Sequence, residues 1–119
     1  MRAKDTLGRH GEQLAAAYLA TAGIEVIDRN WRCPDGEIDL VGIDHGTLVI
    51  VEVKTRSSLD YGHPLEAITA EKLARLYLLA GKWRKAQGRQ YASFRVDAVS
   101  IVDNGAGNPV IEHLREVAL

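Results

Sequence analysis

The stretch "GEIDLVGIDHGTLVIVEVKTR", Gly36 to Arg56, decides the fold because it reads as two buried β-strands joined by a tight turn. His45-Gly46 supplies a two-residue connection with a glycine available for positive φ. Folding about that turn sets Asp44 against Thr47, Gly42 against Val49 and Asp39 against Glu52. Side chains alternate along a strand, so one face carries Ile38, Leu40, Val49, Val51 and Val53 and must be core. The other carries Val41, Ile43, Leu48 and Ile50 near the turn, then Glu37, Asp39, Glu52 and Lys54 further out. Both faces are therefore at least partly covered, with three acids and a lysine at one end of the covered region.

The flanking segments supply the covering. Leu7, Gly11, Leu14, Ala15, Tyr18, Leu19 and Ala22 recur at helical spacing, which predicts a helix from about Thr6, its cap, to Ala22. Glu12 falls at the flank of that stripe. "IEVIDRN" reads as a short strand and "CPDG" as a tight turn. After the loop "SSLDYGHP", which Gly62 and Pro64 shape, a second helix runs from about Thr69 to Gln87 on Leu73, Leu76, Tyr77, Ala80 and Trp83. "YASFRVDAVSIV" and "VIEHL" are two further strands around the turn cluster "DNGAGNP". The order α-β-β-β-α-β-β, without repeat or linker, predicts one mixed-sheet α/β domain over residues 1–119.

Composition narrows the function classes. A single cysteine, Cys33, excludes a disulfide framework or a cysteine-based zinc site within one chain, and suits a reducing cytoplasm. The start "MRAKDTLGRHGE" lacks the apolar core of a signal peptide, and no apolar run approaches ~18 residues, so a cytoplasmic protein without a membrane span is expected. The net charge of −1 argues against a protein that coats nucleic acid. Its distribution does not: from Lys72 to Val96 there is no acid, but there are Lys72, Arg75, Lys82, Arg84, Lys85, Arg89 and Arg95. That segment is either a solvated helix face or a phosphate-binding surface.

In the hairpin register Asp39 and Glu52 are cross-strand neighbours, with side-chain origins about 4.5–5.5 Å apart. Lys54 shares the face of Glu52. Like charges directly opposed destabilise a sheet, and a divalent cation between them relieves the repulsion; hard oxygen ligands suit magnesium or manganese. The same spacings also fit a surface ion-pair ladder through Lys54. His10, His45, His63 and His113 are scattered, with His45 in the turn, and Trp31 and Trp83 read as core or rim packing.

"GRHGEQLAAAYLATAGIEVIDRNWR", "GEIDLVGID…TLVIVEVKTR", "GHPLEAITAEKLARLYLLAGKWR" and "RVDAVSI" together resemble the YraN-like family of uncharacterised bacterial proteins over nearly the whole chain. The resemblance implies a restriction-endonuclease-like, or PD-(D/E)xK, three-layer α/β fold, with a central mixed sheet flanked by helices, similar to archaeal Holliday-junction resolvases. Asp39 of "GEIDL" then takes the place of the motif's first acid, Glu52 and Lys54 of "VEVK" supply the E-x-K half, and Glu12 matches a helix-borne acid added at the metal site. Asp39 follows Ile38 where the motif spells proline. The literal Pro34-Asp35 lies in the "CPDG" turn, away from Glu52, and is set aside.

The expectation is thus a magnesium- or manganese-dependent endonuclease on structured or branched DNA. Asp39 and Glu52 hold the metal, Glu12 assists and Lys54 positions the water. Arg56, Lys72, Arg75, Lys82 and Arg84 contact the nucleic acid, and a homodimer spans the substrate. The alternative is a non-catalytic nucleic-acid-binding or adaptor module on the same fold.

Overall fold

A computed structural model of the protein describes residues 3–60 and 62–118, with side chains from residue 7 onward. The elements are α1 (Ala3–Thr21), β1 (Glu25–Cys33), β2 (Gly36–Asp44), β3 (Thr47–Arg56), a 3-10 turn at Pro64–Ala67, α2 (Ala70–Gln87), β4 (Ser93–Val102) and β5 (Val110–Leu114). The expected order is therefore observed. The expected Thr6 cap concerns a side chain outside the described set, and α1 begins before it.

The strands form one mixed sheet in the order β1-β2-β3-β4-β5. All neighbours are antiparallel except β3 and β4, which run parallel from Thr47↔Ser93 to Arg56↔Val102. Parallel neighbours need a long crossover, and the segment carrying α2 supplies it. The β2–β3 turn is as the sequence predicts: His45 and Gly46 take φ 48° and 86°, with Asp44 opposite Thr47. Positive φ at both central residues matches the strand twist.

Each helix covers one face of the sheet. α1 packs Ala15, Ala16 and Leu19 onto Leu40, Val49, Val51, Val99 and Ile101. α2 packs Leu73, Leu76, Leu79, Ala80 and Trp83 onto Val41, Leu48, Ile50 and Val96 on the other. Thr69 caps α2 by accepting from Lys72 N at 3.2 Å. Trp83 is core, 2% exposed, and its indole N–H donates to Asp28 Oδ2 at 2.8 Å. Trp31 packs at the edge of the same cluster.

One face assignment differs from the alternation expected. Leu40 lies with the α1 cluster, but Ile38, two residues before it, lies with α2. The change falls beside Asn30, which lies between the paired residues Arg29↔Leu40 and Trp31↔Ile38 and adopts φ 51°. A left-handed residue inside a strand breaks the pleat as a bulge does and re-aims its neighbours. β1 also runs on to Cys33, past the Asn30 at which the sequence suggests it stops.

Candidate metal and phosphate site

Strands β2 and β3 pair from Asp44↔Thr47 to Leu40↔Val51 and then part. Beyond that point the sheet is forked, and the chemistry-bearing residues collect in the fork. Asp39 is aimed by the backbone, since Val53 N–H donates to its Oδ2 at 2.8 Å. Glu52 lies on the α2 side of β3, and its carboxyl is within hydrogen-bonding reach of Asp39. Burial, then the bond to Asp39 and its charge, push Glu52 up to about 9, against an ordinary value of 4.5; Lys54 and Lys72 pull it down. Burial and the neighbouring acid therefore favour the protonated form of Glu52.

Glu12 reaches the same place from α1. Gly11 makes this possible: a Cβ there would overlap the Thr55 hydroxyl and sit 3.0 Å from Thr55 Cβ, so only glycine lets the helix approach β3 this closely. Burial, followed by the charge of Asp39, raises the carboxyl of Glu12 above its usual range. Asn30 and Glu37 complete the cluster. With its amide nitrogen turned inward, Asn30 donates to Glu12 Oε1 at 2.9 Å and to Glu37 Oε1 at 3.1 Å. Arg32 Nε lies 3.5 Å from Glu37 Oε2.

The fork opens to both faces of the sheet. On the α1 side a cleft of about 650 Å³ is lined by Gly8, Arg9, Glu12, Asn30, Arg32, Glu37 and Asp39. On the α2 side Glu37, Glu52, Lys54, Lys72 and Arg75 line a crevice of about 170 Å³. A third recess joins Glu12 to Lys54 and Arg56, and the Arg56 Nε is buried without a hydrogen bond. Hard carboxylate oxygens of this kind suit magnesium or manganese, which take one or two carboxylates and fill the remaining positions with waters and phosphate oxygens. Asp39 and Glu52 fit that role, because a cation between them would offset the repulsion of two acids in contact. Among the described residues no three His, Cys, Asp or Glu side chains stand as a ready-made metal cage.

The sequence-derived set is thus divided. Glu12, Asp39, Glu52 and Lys54 come together, with Lys72 and Arg75 at the rim. Lys82 is seven residues from Arg75 and shares its flank of α2, but it is paired with Asp35 of the β1–β2 turn. Arg84 departs from the expected surface: nine residues from Arg75, it lies about 180° around the helix. There its guanidinium covers the Phe94 ring at 5.2 Å. The basic segment is therefore two flanks, not one.

The histidines lie outside the fork's acid cluster. His10 pairs with Asp103 at 2.9 Å, His45 with Asp44 at 2.8 Å, and His63 Nδ1 accepts from Leu65 N. His113 donates from Nε2 to the fully buried Asp97 at 2.8 Å. The residues that the sequence reading missed are Asn30 and Gly11. An asparagine inside a strand-like run was the available signal, since it tolerates the left-handed region better than its neighbours do.

No helix among the described residues is long and apolar enough to cross a membrane. A family model described as "Uncharacterised protein family UPF0102" matches residues 11–101, which include the acid cluster and α2. A UPF0102 protein of Paenarthrobacter aurescens is 58% identical over 117 residues, covering 98% of this chain and 97% of the relative. One from Pseudarthrobacter chlorophenolicus is 55% identical over 118 residues, covering 99% and 89%. One from Beutenbergia cavernae is 53% identical over 117 residues, covering 98% and 99%. These descriptions carry no activity. With one family model and full-length relatives agreeing, the chain belongs to the UPF0102 family, the YraN-like group that its motifs resemble.

Proposed function

We propose that this protein is a magnesium- or manganese-dependent nuclease that hydrolyses phosphodiester bonds in structured or branched DNA, on a restriction-endonuclease-like fold. The observation that carries the reading is the Asp39–Glu52 carboxyl pair, held in contact at the strand fork with Lys54, Lys72 and Arg75 around it. When bound, the cation would polarise a phosphate and lower the pKa of a water. Asp39 and Glu52 would hold it, with Glu12 assisting from α1. The residues of the chain do the rest. Val53 N–H keeps Asp39 aimed into the fork, and burial keeps competing water from Glu52. The Lys54 ammonium orients the attacking water and stabilises charge on the phosphate. Lys72 and Arg75, three residues apart and so neighbours on α2, grip the flanking backbone. Arg56 lines the recess beside Lys54 and adds positive charge there. Water oxygen bonds to phosphorus as one ester bond breaks, with no covalent protein intermediate. Two copies related by a two-fold would extend the cationic rim along a duplex, which light scattering tests.

The direct test is cleavage of duplex, single-stranded and four-way-junction DNA with magnesium or manganese. Cutting that disappears in Asp39→Ala and Lys54→Ala is expected. No cutting of any substrate, or cutting that survives Asp39→Ala, removes the enzyme. One observation favours a non-catalytic nucleic-acid-binding module instead: a net charge of −1 on a single short domain. That reading predicts salt-dependent DNA binding without cleavage, indifferent to Lys54→Ala.

A further inference from the structure

Asn30 sits where the pleat of β1 and β2 breaks. Its φ of 51° is tolerated by asparagine at less cost than by most side chains. That backbone state interrupts β1 opposite Asp39 and turns the side chain toward α1. A carboxamide nitrogen has two N–H groups, and here one goes to Glu12 Oε1 at 2.9 Å and the other to Glu37 Oε1 at 3.1 Å. One nitrogen thus ties a helix acid to a strand acid. Glu37 is engaged through both oxygens, since Arg32 Nε lies 3.5 Å from its Oε2. Glu37 is therefore a support, while Glu12 is tied through one oxygen.

We infer that Asn30 is a positioning residue: its carboxamide clamps Glu12 to Glu37 beside Asp39, and so fixes the orientation in which Glu12 meets a divalent cation. The inference rests on the nuclease reading above. Two acids side by side repel, and a shared neutral donor offsets that repulsion without removing the charge of either. An aspartate would keep the backbone state but set a third carboxylate against the first two. A glycine would keep the backbone state and leave the acids untied.

Those two substitutions make the test, because neither strains the chain at φ 51° as alanine would. Manganese affinity is measured by EPR titration of wild type, Asn30→Gly and Asn30→Asp. Loss of an outer-shell partner weakens metal binding by about 10-fold to 100-fold, and that loss is expected for Asn30→Gly, with Asn30→Asp weaker still. A metal-free readout accompanies it: melting temperatures in EDTA for Asn30→Gly, Glu12→Ala and the double variant. If the clamp exists, Asn30→Gly lowers the melting temperature less in the Glu12→Ala background than in wild type. Additive shifts overturn the clamp. So does Asn30→Asp binding manganese as tightly as wild type, because the side-chain oxygen would then face the cation. Wild type without manganese affinity removes the nuclease reading together with the clamp's purpose. Wild-type binding left unchanged by Asn30→Gly removes the clamp alone.

Discussion

Replacing Glu52 with glutamine should make the metal-free protein less sensitive to alkali, by an amount that follows from linkage. Burial and the contact with Asp39 raise Glu52 from 4.5 to about 9. Between those values the folded chain binds a proton that the unfolded chain does not, so stability falls as pH rises. It is undiminished below about 4.5, and the loss is complete above about 9. One proton corresponds to about 1.4 kcal/mol per pH unit, so wild type should lose about 3 kcal/mol from this site between about pH 5.5 and 7.5. For a chain of this size that is roughly 8–11 °C in melting temperature. Glutamine mimics the protonated acid, keeps an N–H for Asp39 and cannot titrate. Urea melts in EDTA at the two pH values, compared between proteins, isolate the term, because every other titrating group is common to both. Manganese should restore much of the wild-type loss and do little for Glu52→Gln. Parallel losses in the two proteins would refute the account of a protonated Glu52 and return it to an ordinary ion pair with Lys54.

Gly11→Ala should destabilise by about 1–3 kcal/mol in urea melts, because the new methyl group overlaps Thr55 where α1 meets β3. It should also weaken manganese binding by displacing Glu12; wild-type stability would mean that the helix sits further off. Asp97→Ala should cost about 3–5 kcal/mol, since it leaves buried partners without a counter-charge. Asp97 accepts from Arg95 Nε at 2.9 Å, His113 Nε2 at 2.8 Å and Glu116 N at 2.9 Å. Differential scanning calorimetry checks this, and a near-neutral result would show the network to be dispensable. On duplex DNA, the Lys72→Ala and Arg75→Ala double variant should flatten the log K against log salt slope by about 1.8, at about 0.9 per lost phosphate contact. Arg84→Ala should leave the slope unchanged, and fluorescence anisotropy showing the reverse would put the DNA on the other flank of α2.

Most of the architecture was legible because the hairpin "GEIDLVGIDHGTLVIVEVKTR" carries its own register: a two-residue turn and unbroken apolar alternation leave one way to pair. That register points to Asp39, Glu52 and Lys54 as neighbours, but the ladder ends at Leu40↔Val51, one pair short of the expected Asp39–Glu52 pairing, and the two acids meet across the fork instead. Two things were not legible. Ile38 changes face beside a left-handed residue on the neighbouring strand, and alternation rules assume an unbroken pleat. The division of the basic segment was hidden because charge counts carry no angle. Helical phase alone separates Arg75 from Arg84, and the ring under Arg84 is Phe94 at the start of β4.

The other end of the sheet carries charge of a different kind. At the β2–β3 turn Asp44 meets Arg95 and Arg115, with the hydrogen bond from His45 and then Arg95 holding Asp44 below the usual carboxylate range. There the acid is met by bases, whereas the fork crowds acids against one another. Asp39 and Asp44 are five residues apart on β2, which is about 17 Å along the strand. At that separation the effects of substitutions add. Mutational tolerance should therefore be partitioned along a single strand. Losses incurred in the fork can be offset by gains near the turn without either altering the other. Drift in one half leaves the demands on the other unaltered.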